Sequence, residues 1–252
     1  MTAQGDRPGR GRFITLEGPD GAGKTSQAEI LCRALRDAGW TVTLVREPGG
    51  TVVGERIRDL LLADRAADHP ARLDALLFNA ARTALVTEVI RPALERGEVV
   101  VSARFADSTV AYQGNGGGLP VDDLRALERF ATGGLKPDLT ILLDLPVEVG
   151  LGRKSGAEVT RFEERFDVAF HRRVRDGFLA IAAAEPDRLV VVDATSEPSI
   201  VARAIAGAVE ERLPGLLEAA GSGVGSGLDS AVGSGGQSST DEPKAARPRI
   251  IG

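Results

Sequence analysis

Short apolar runs alternate along the chain with longer stretches in which apolar residues recur every three or four positions. The runs at 13–16, 41–45, 98–102, 139–143 and 189–192 have the length and composition of strands buried on both faces. Between them the helical period predicts a helix from Lys24 to about Gly39, carrying Ala28, Leu31, Cys32 and Leu35 on one side. It predicts others at about 54–63, 71–96, 121–132, 147–151 and 199–213. The 71–96 helix is expected to place Leu73, Leu76, Leu77, Ala80, Ala81 and Ala84 on its apolar side. Over 161–181, Phe162, Phe166, Phe170, Val174 and Phe178 recur four apart, a core stripe, with Arg165, Arg172, Arg173 and Arg175 largely elsewhere. Asn115-Gly116-Gly117-Gly118 reads as a flexible break. Strand–helix alternation of this kind predicts an α/β fold, a five-stranded parallel sheet flanked by helices.

The pattern covers about 12–213. Residues 1–11 are polar, carry no apolar segment of the secretory kind, and are expected to be a disordered leader. From about 214 onward the composition shifts: seven of the sixteen residues from Gly221 to Gly236 are glycine, interleaved with serine, so 214–252 is expected to be a disordered tail. The chain is 252 residues long and 42 % hydrophobic, enough for one sizeable core. A net charge of −5 argues against nucleic acid as a partner, so any basic site must be local. No stretch is long and apolar enough to predict a membrane span. The single cysteine, Cys32, excludes an internal disulfide and suits the reducing cytoplasm.

The chemistry concentrates after the first strand. Gly18-Pro19-Asp20-Gly21-Ala22-Gly23-Lys24-Thr25, followed by Ser26, satisfies the phosphate-loop pattern G-x-x-x-x-G-K-[ST] between a strand and a helix. Its glycines let successive N–H groups turn toward phosphate oxygens, Lys24 reaches the β- and γ-phosphates, and the Thr25 hydroxyl is placed for magnesium. A nucleoside triphosphate is the expected ligand. Arg46-Glu47-Pro48-Gly49-Gly50 turns the chain at the carboxyl end of the second strand, where open α/β sheets bind ligands, although a solvated turn would look the same. Phe78 and Arg82 share a helix face. They fit a base-stacking aromatic with a neighbouring donor, or a core phenylalanine and a surface arginine, which spacing alone favours.

Taken with Thr51, Leu77-Phe78-Asn79-Ala80-Ala81-Arg82, Ser108-Thr109-Val110-Ala111-Tyr112-Gln113-Gly114, Pro137-Asp138-Leu139-Thr140 and Phe170-His171-Arg172-Arg173, these blocks resemble thymidylate kinase of the bacterial type over about 12–213. The resemblance implies a P-loop NTPase three-layer fold with a short lid at about 152–161. It also implies a homodimer and transfer of the γ-phosphoryl of ATP to dTMP with Mg2+. It assigns Lys24, Thr25 and their loop to ATP and metal, and Asp20 to the acceptor side. Arg46 and Glu47 would lie beside the dTMP sugar and phosphate, Phe78 on thymine, and Arg82 at its carbonyl edge. Arg104 would grip the dTMP phosphate, Thr109 and Tyr112 would line base and deoxyribose, and Arg153 and Arg161 would be lid arginines near the transferred group.

Two departures fall on the chemistry. The lid carries Arg153-Lys154-Ser155-Gly156 and Thr160-Arg161 where the family tends to have several arginines before an Asp-Arg pair, and the other is at the third strand. The family pattern has Asp-Arg-Tyr/Phe at the end of the third strand, whereas this chain has Ala103-Arg104-Phe105. Alanine cannot ligate a metal, and Ser102 and Glu17 are the nearest groups that could hold the metal's waters instead. An alternative follows: a nucleotide-binding homologue with weak or lost catalysis, serving as a regulator or partner subunit.

Overall fold

The computed structural model describes residues 10–62, 69–153 and 166–218. Five parallel strands form one sheet: β1 (Arg12–Glu17), β2 (Val42–Arg46), β3 (Val99–Ala103), β4 (Leu139–Asp144) and β5 (Leu189–Asp193), in the order β2-β3-β1-β4-β5. In register, Phe13 pairs with Val100 and Leu16 with Ala103, while Thr15 pairs with Thr140. Side-chain alternation divides β1 between two layers. Ile14 and Leu16 face a cluster with Leu31 and Leu35 of α1 (Lys24–Asp37) and with Ile205 and Val209 of α9 (Pro198–Arg212). Phe13 faces the opposite layer, among Leu85, Ile90, Val100 and Phe105. Glu17 has the parity of Phe13 and Thr15, and all three are fully buried.

On that second face lie α2 (Val52–Leu62), α3 (Ala71–Leu85) and α4 (Arg91–Glu95), then α5 (Ala106–Thr109), α6 (Val121–Thr132) and α8 (Val168–Ala184); α7 (Val147–Arg153) follows β4. The single helix expected over 71–96 is α3 and α4 joined by a π-helical turn, Val86–Ile90. Leu73 and Leu76, expected on the buried side of α3, are 39 % and 50 % exposed. The phenylalanine stripe holds within the described residues: Phe170, Val174 and Phe178 are buried, and Phe166 stacks on Phe170 at 3.8 Å between ring centroids. Asp167 caps α8 by accepting from the Phe170 amide.

The glycine run expected as a flexible break is ordered. Val110–Gly116 is π-helical and packs closely on α8. A Cβ on Gly116 would lie 2.7 Å from the Phe170 ring, so the missing side chain is what permits the approach. Of the stretch expected to be tail from 214, the described residues reach 218, and here Leu216 is buried in the core and its carbonyl accepts from the Trp40 indole at 2.8 Å. Arg161, most of the expected lid and the rest of the tail lie outside the described residues.

Candidate active site

The carboxyl ends of β1, β2 and β3 open into a cavity of about 530 Å³. Its floor is the phosphate loop. One wall is Arg46, Glu47 and Pro48 with Arg58 of α2 and Phe78 of α3; the other is Ala103 and Arg104, Ser108 and Thr109, then Tyr112 and Gln113 of the π-helix. Arg153, at the end of α7, closes the side toward β5 and donates to the carbonyls of Ala194 and Thr195. It is thus fastened to the loop after β5.

The loop is shaped by its glycines. Gly23 precedes α1 in the left-handed conformation (φ 82°), and no side chain caps the helix, leaving its first N–H groups to an anion. Gly21 has φ 75°, and a Cβ there would strike the Gly150 carbonyl of α7. Lys24 Nζ donates to the carbonyls of Gly18 and Pro19 at 2.8 and 2.6 Å, which keeps the ammonium over the loop. Thr25 and Ser26 face the cavity.

Opposite the loop stands Arg104. It is the one described non-glycine residue with positive φ (74°), at the turn that leaves β3. Its guanidinium donates to Asp20 at 2.5 Å and lies over the Tyr112 ring at 5.1 Å, while Tyr112 donates to the other Asp20 oxygen at 2.7 Å. Burial disfavours the Arg104 charge, but Tyr112, Asp20 and Glu17 outweigh it and hold its pKa above the usual arginine range. Burial, against the pull of Arg104, pushes the Tyr112 phenol well above its ordinary value. Arg104 is therefore a permanent cation in the cleft. Arg58 adds another: burial, followed by the cations Arg46 and Arg104, lowers its pKa, and its Nη1 donates to the Pro48 carbonyl. An anion between Arg46, Arg58 and Arg104 would relieve their mutual repulsion.

Phe78 and Arg82 reverse the reading that spacing favours. Phe78 is half-buried and lines the cavity, while Arg82 is 1 % exposed. Arg82 sits behind the wall, donating to Glu47, to Asn79 Oδ1, to the Phe105 carbonyl and to Thr109 Oγ1 at 2.8–3.1 Å. Burial raises the Glu47 carboxyl, with Arg82 pulling the other way, and Glu47 Oε1 is buried without a hydrogen-bond partner. That oxygen is an acceptor waiting at the cavity wall.

The donors suit a magnesium ion that arrives with phosphates and keeps most of its waters, since Thr25 offers its hydroxyl to the cavity and Ala103 offers nothing. The stand-ins considered from sequence are occupied. Glu17 accepts from Phe105 N–H, Ser108 N–H and Ser108 Oγ, and Ser102 Oγ donates to the Arg104 carbonyl. Asp107 points away into ion pairs with Arg125 and Arg188.

Most of the residues expected from sequence thus meet in one cavity. Gly18, Pro19 and Ala22 form the body of the loop, Arg82 supports the wall from behind, and Arg161 falls outside the described residues. Sequence reasoning missed Arg58, gave Ser108 and Gln113 no role of their own, and weighed Glu17 only as a holder of the metal's waters. Arg58 is one charge among several on an amphipathic helix, and only the fold turns it toward Arg46 and Arg104.

The sheet order, the loop after its central strand and the arginine cluster across the cavity define a P-loop protein of the three-layer α/β class with two facing anion sites. The thymidylate kinase family model matches residues 16–205. The chain is 53 % identical over 201 residues to the thymidylate kinase of Thermomicrobium roseum (79 % of this chain, 94 % of that one). It is 50 % identical over 203 residues to that of Deinococcus radiodurans (81 % and 98 %). The crystal structure of thymidylate kinase from Ehrlichia chaffeensis superposes with a TM-score of 0.67 at 30 % identity, over 80 % of this chain and 100 % of that one. The chain belongs to the thymidylate kinase family.

Proposed function

We propose that the chain transfers the γ-phosphoryl group of ATP to dTMP, giving dTDP and ADP. The observation that carries this reading, given the family, is the cavity itself: a phosphate loop and the cations Arg46, Arg58 and Arg104 line one space of about 530 Å³. Phosphoryl transfer asks for positioning and charge neutralisation more than covalent chemistry. Lys24 and the N–H groups of the loop bind the β- and γ-phosphates. Arg104, with Arg46 and Arg58 behind it, holds the dTMP phosphate in line and neutralises charge on the moving group. Asp20 anchors Arg104 and faces the deoxyribose. Phe78 stacks on thymine, Thr109, held from behind by Arg82, lines the base, and Tyr112 packs along the sugar. Thr25 would be the protein's ligand to Mg2+, which would neutralise charge on the phosphates of ATP. Arg153 and Arg161 belong to the donor side.

The partner is a second copy of the chain. Leu73 and Leu76 of α3 and Phe130 of α6, 89 % exposed, are large apolar groups on helices that pack against each other. A homodimer would cover them. No helix among the described residues is long and apolar enough to cross a membrane, and Cys32 is a free buried thiol, which suits the cytoplasm. The test is formation of dTDP and ADP from dTMP, ATP and Mg2+ by the purified chain. Product from dTMP, with dCMP and dUMP much poorer acceptors, supports the reading; ATP binding without product from any of them refutes it.

A further inference from the structure

Arg104 is costly to hold where it is. Its φ of 74° is a conformation side-chain-bearing residues rarely adopt, and it sits between the end of β3 and the first residue of α5. Four hydrogen bonds fix the turn. The Arg104 amide donates to the Leu16 carbonyl at 2.9 Å, Ser102 Oγ donates to the Arg104 carbonyl at 2.6 Å, and Glu17 Oε1 accepts from the amides of Phe105 (2.7 Å) and Ser108 (3.2 Å). Glu17 does one thing more. Its Oε2 is 2.6 Å from Ser108 Oγ, and that hydroxyl lies 3.3 Å from Arg104 Nη1. The carboxyl therefore reaches the arginine twice, through its backbone and through its guanidinium, without touching it.

We infer that Glu17 is a positioning residue: it fixes the left-handed turn and, through Ser108, aims Arg104 at the acceptor phosphate. Glu17 is fully buried and does not line the cavity, so it contacts neither substrate. It is the last residue of β1, and the next residue, Gly18, opens the phosphate loop. One buried carboxyl thus ties the strand that carries the ATP site to the turn that carries the acceptor arginine, and sets the register between the two anion sites. The inference rests on the dTMP reading above.

The test is calorimetric titration of the full chain with dTMP and, separately, with ATP, in wild type, Glu17→Ala, Glu17→Gln and Ser108→Ala. Glu17→Ala is expected to weaken dTMP binding by about tenfold or more while ATP affinity stays within about twofold, because the charge-assisted grip on the phosphate depends on guanidinium placement. Glu17→Gln keeps an oxygen for the two amides and an N–H for Ser108 Oγ, and recovers most of the loss. Ser108→Ala, which leaves the backbone turn intact, weakens dTMP binding by about threefold through the lost link to Nη1. Equal loss of dTMP and ATP affinity in Glu17→Ala would mean general damage and overturn the inference, as would undiminished dTMP binding. Should Glu17→Ala fail to fold, Ser108→Ala decides: a selective loss supports the inference and wild-type affinity for both ligands overturns it. A wild type that binds ATP but not dTMP overturns the acceptor assignment itself, and this inference with it.

Discussion

Ala103 puts a methyl group beside Arg104 at the cavity, next to a loop whose proposed contribution to magnesium is the Thr25 hydroxyl. Because Glu17, Ser102 and Asp107 are all engaged elsewhere, none of the three takes over a carboxylate's work. The wild type is expected to turn over but to need more magnesium than the phosphates of ATP alone would demand. Ala103→Asp should lower the Mg2+ concentration for half-maximal rate by about tenfold, the scale on which ligands and their supporting groups tune metal sites. A magnesium titration of the steady-state rate in both proteins checks this; identical curves would show that Thr25, phosphates and water suffice. At this scale legibility was uneven. Lys24 and Thr25 stood out because a loop motif fixes their neighbours along the chain. The burial of Arg82 could not be read from spacing, because its partners Glu47 and Phe105 come from other elements. Arg58 carries no local mark at all, and the place of Glu17 beside the loop suggested the metal rather than the turn that it holds.

At the scale of elements, the alternation of strands and helices was legible because the strands are short apolar runs and the longer helices have one apolar side. The edge strands β2 and β5 nevertheless leave Leu44 and Val191 exposed. Helix 121–132 matches its expected bounds, and the strands agree to within one residue at either end. The glycine run at 115–118 misled, because glycine signals both looseness and close approach and only the partner surface decides between them. Here the partner is α8. Gly116→Ala would push a methyl group into the Phe170 ring and Val174, and it should destabilise the fold by about 1–3 kcal/mol through overpacking. Denaturant unfolding measures it. Tyr112 and Gln113 belong to the same π-helix, so weaker dTMP binding should accompany the loss.

For the whole molecule, two buried carboxyls set a pH dependence. Burial, reinforced by Asp107, raises Glu17 to about 7, and burial also raises Glu47. A carboxyl whose folded pKa lies above its unfolded value holds its proton more tightly when folded. Its contribution is complete below about pH 4.5 and is lost as pH rises through about 7. Replacing Glu17 by glutamine removes that slope. Relative to wild type, Glu17→Gln should gain stability between pH 4.5 and 8, by roughly 3 kcal/mol on the linkage for a shift of this size. Chemical denaturation of both proteins across that range tests it; a constant difference would place the Glu17 pKa near its ordinary value. At the other end of the chain, Leu216 and the Trp40 bond fasten residues past the last helix to the core. A chain ending at Leu213 should be less stable than one ending at Glu218 by about 2 kcal/mol, the worth of one buried leucine, with a melting temperature lower by about 4–8 °C.

The sheet order carries a consequence for synthesis. β1 is the central strand, yet its neighbours arrive late: Glu17 bonds to Phe105, 88 residues on, and Thr15 meets Thr140, 125 residues on. On the ribosome, at about 5–20 residues per second, the strand waits several seconds or more for both sides to be covered. The phosphate loop is among the first motifs to leave the exit tunnel and among the last to acquire its shape. A nascent chain halted before β4 emerges carries the complete nucleotide signature and should not retain ATP.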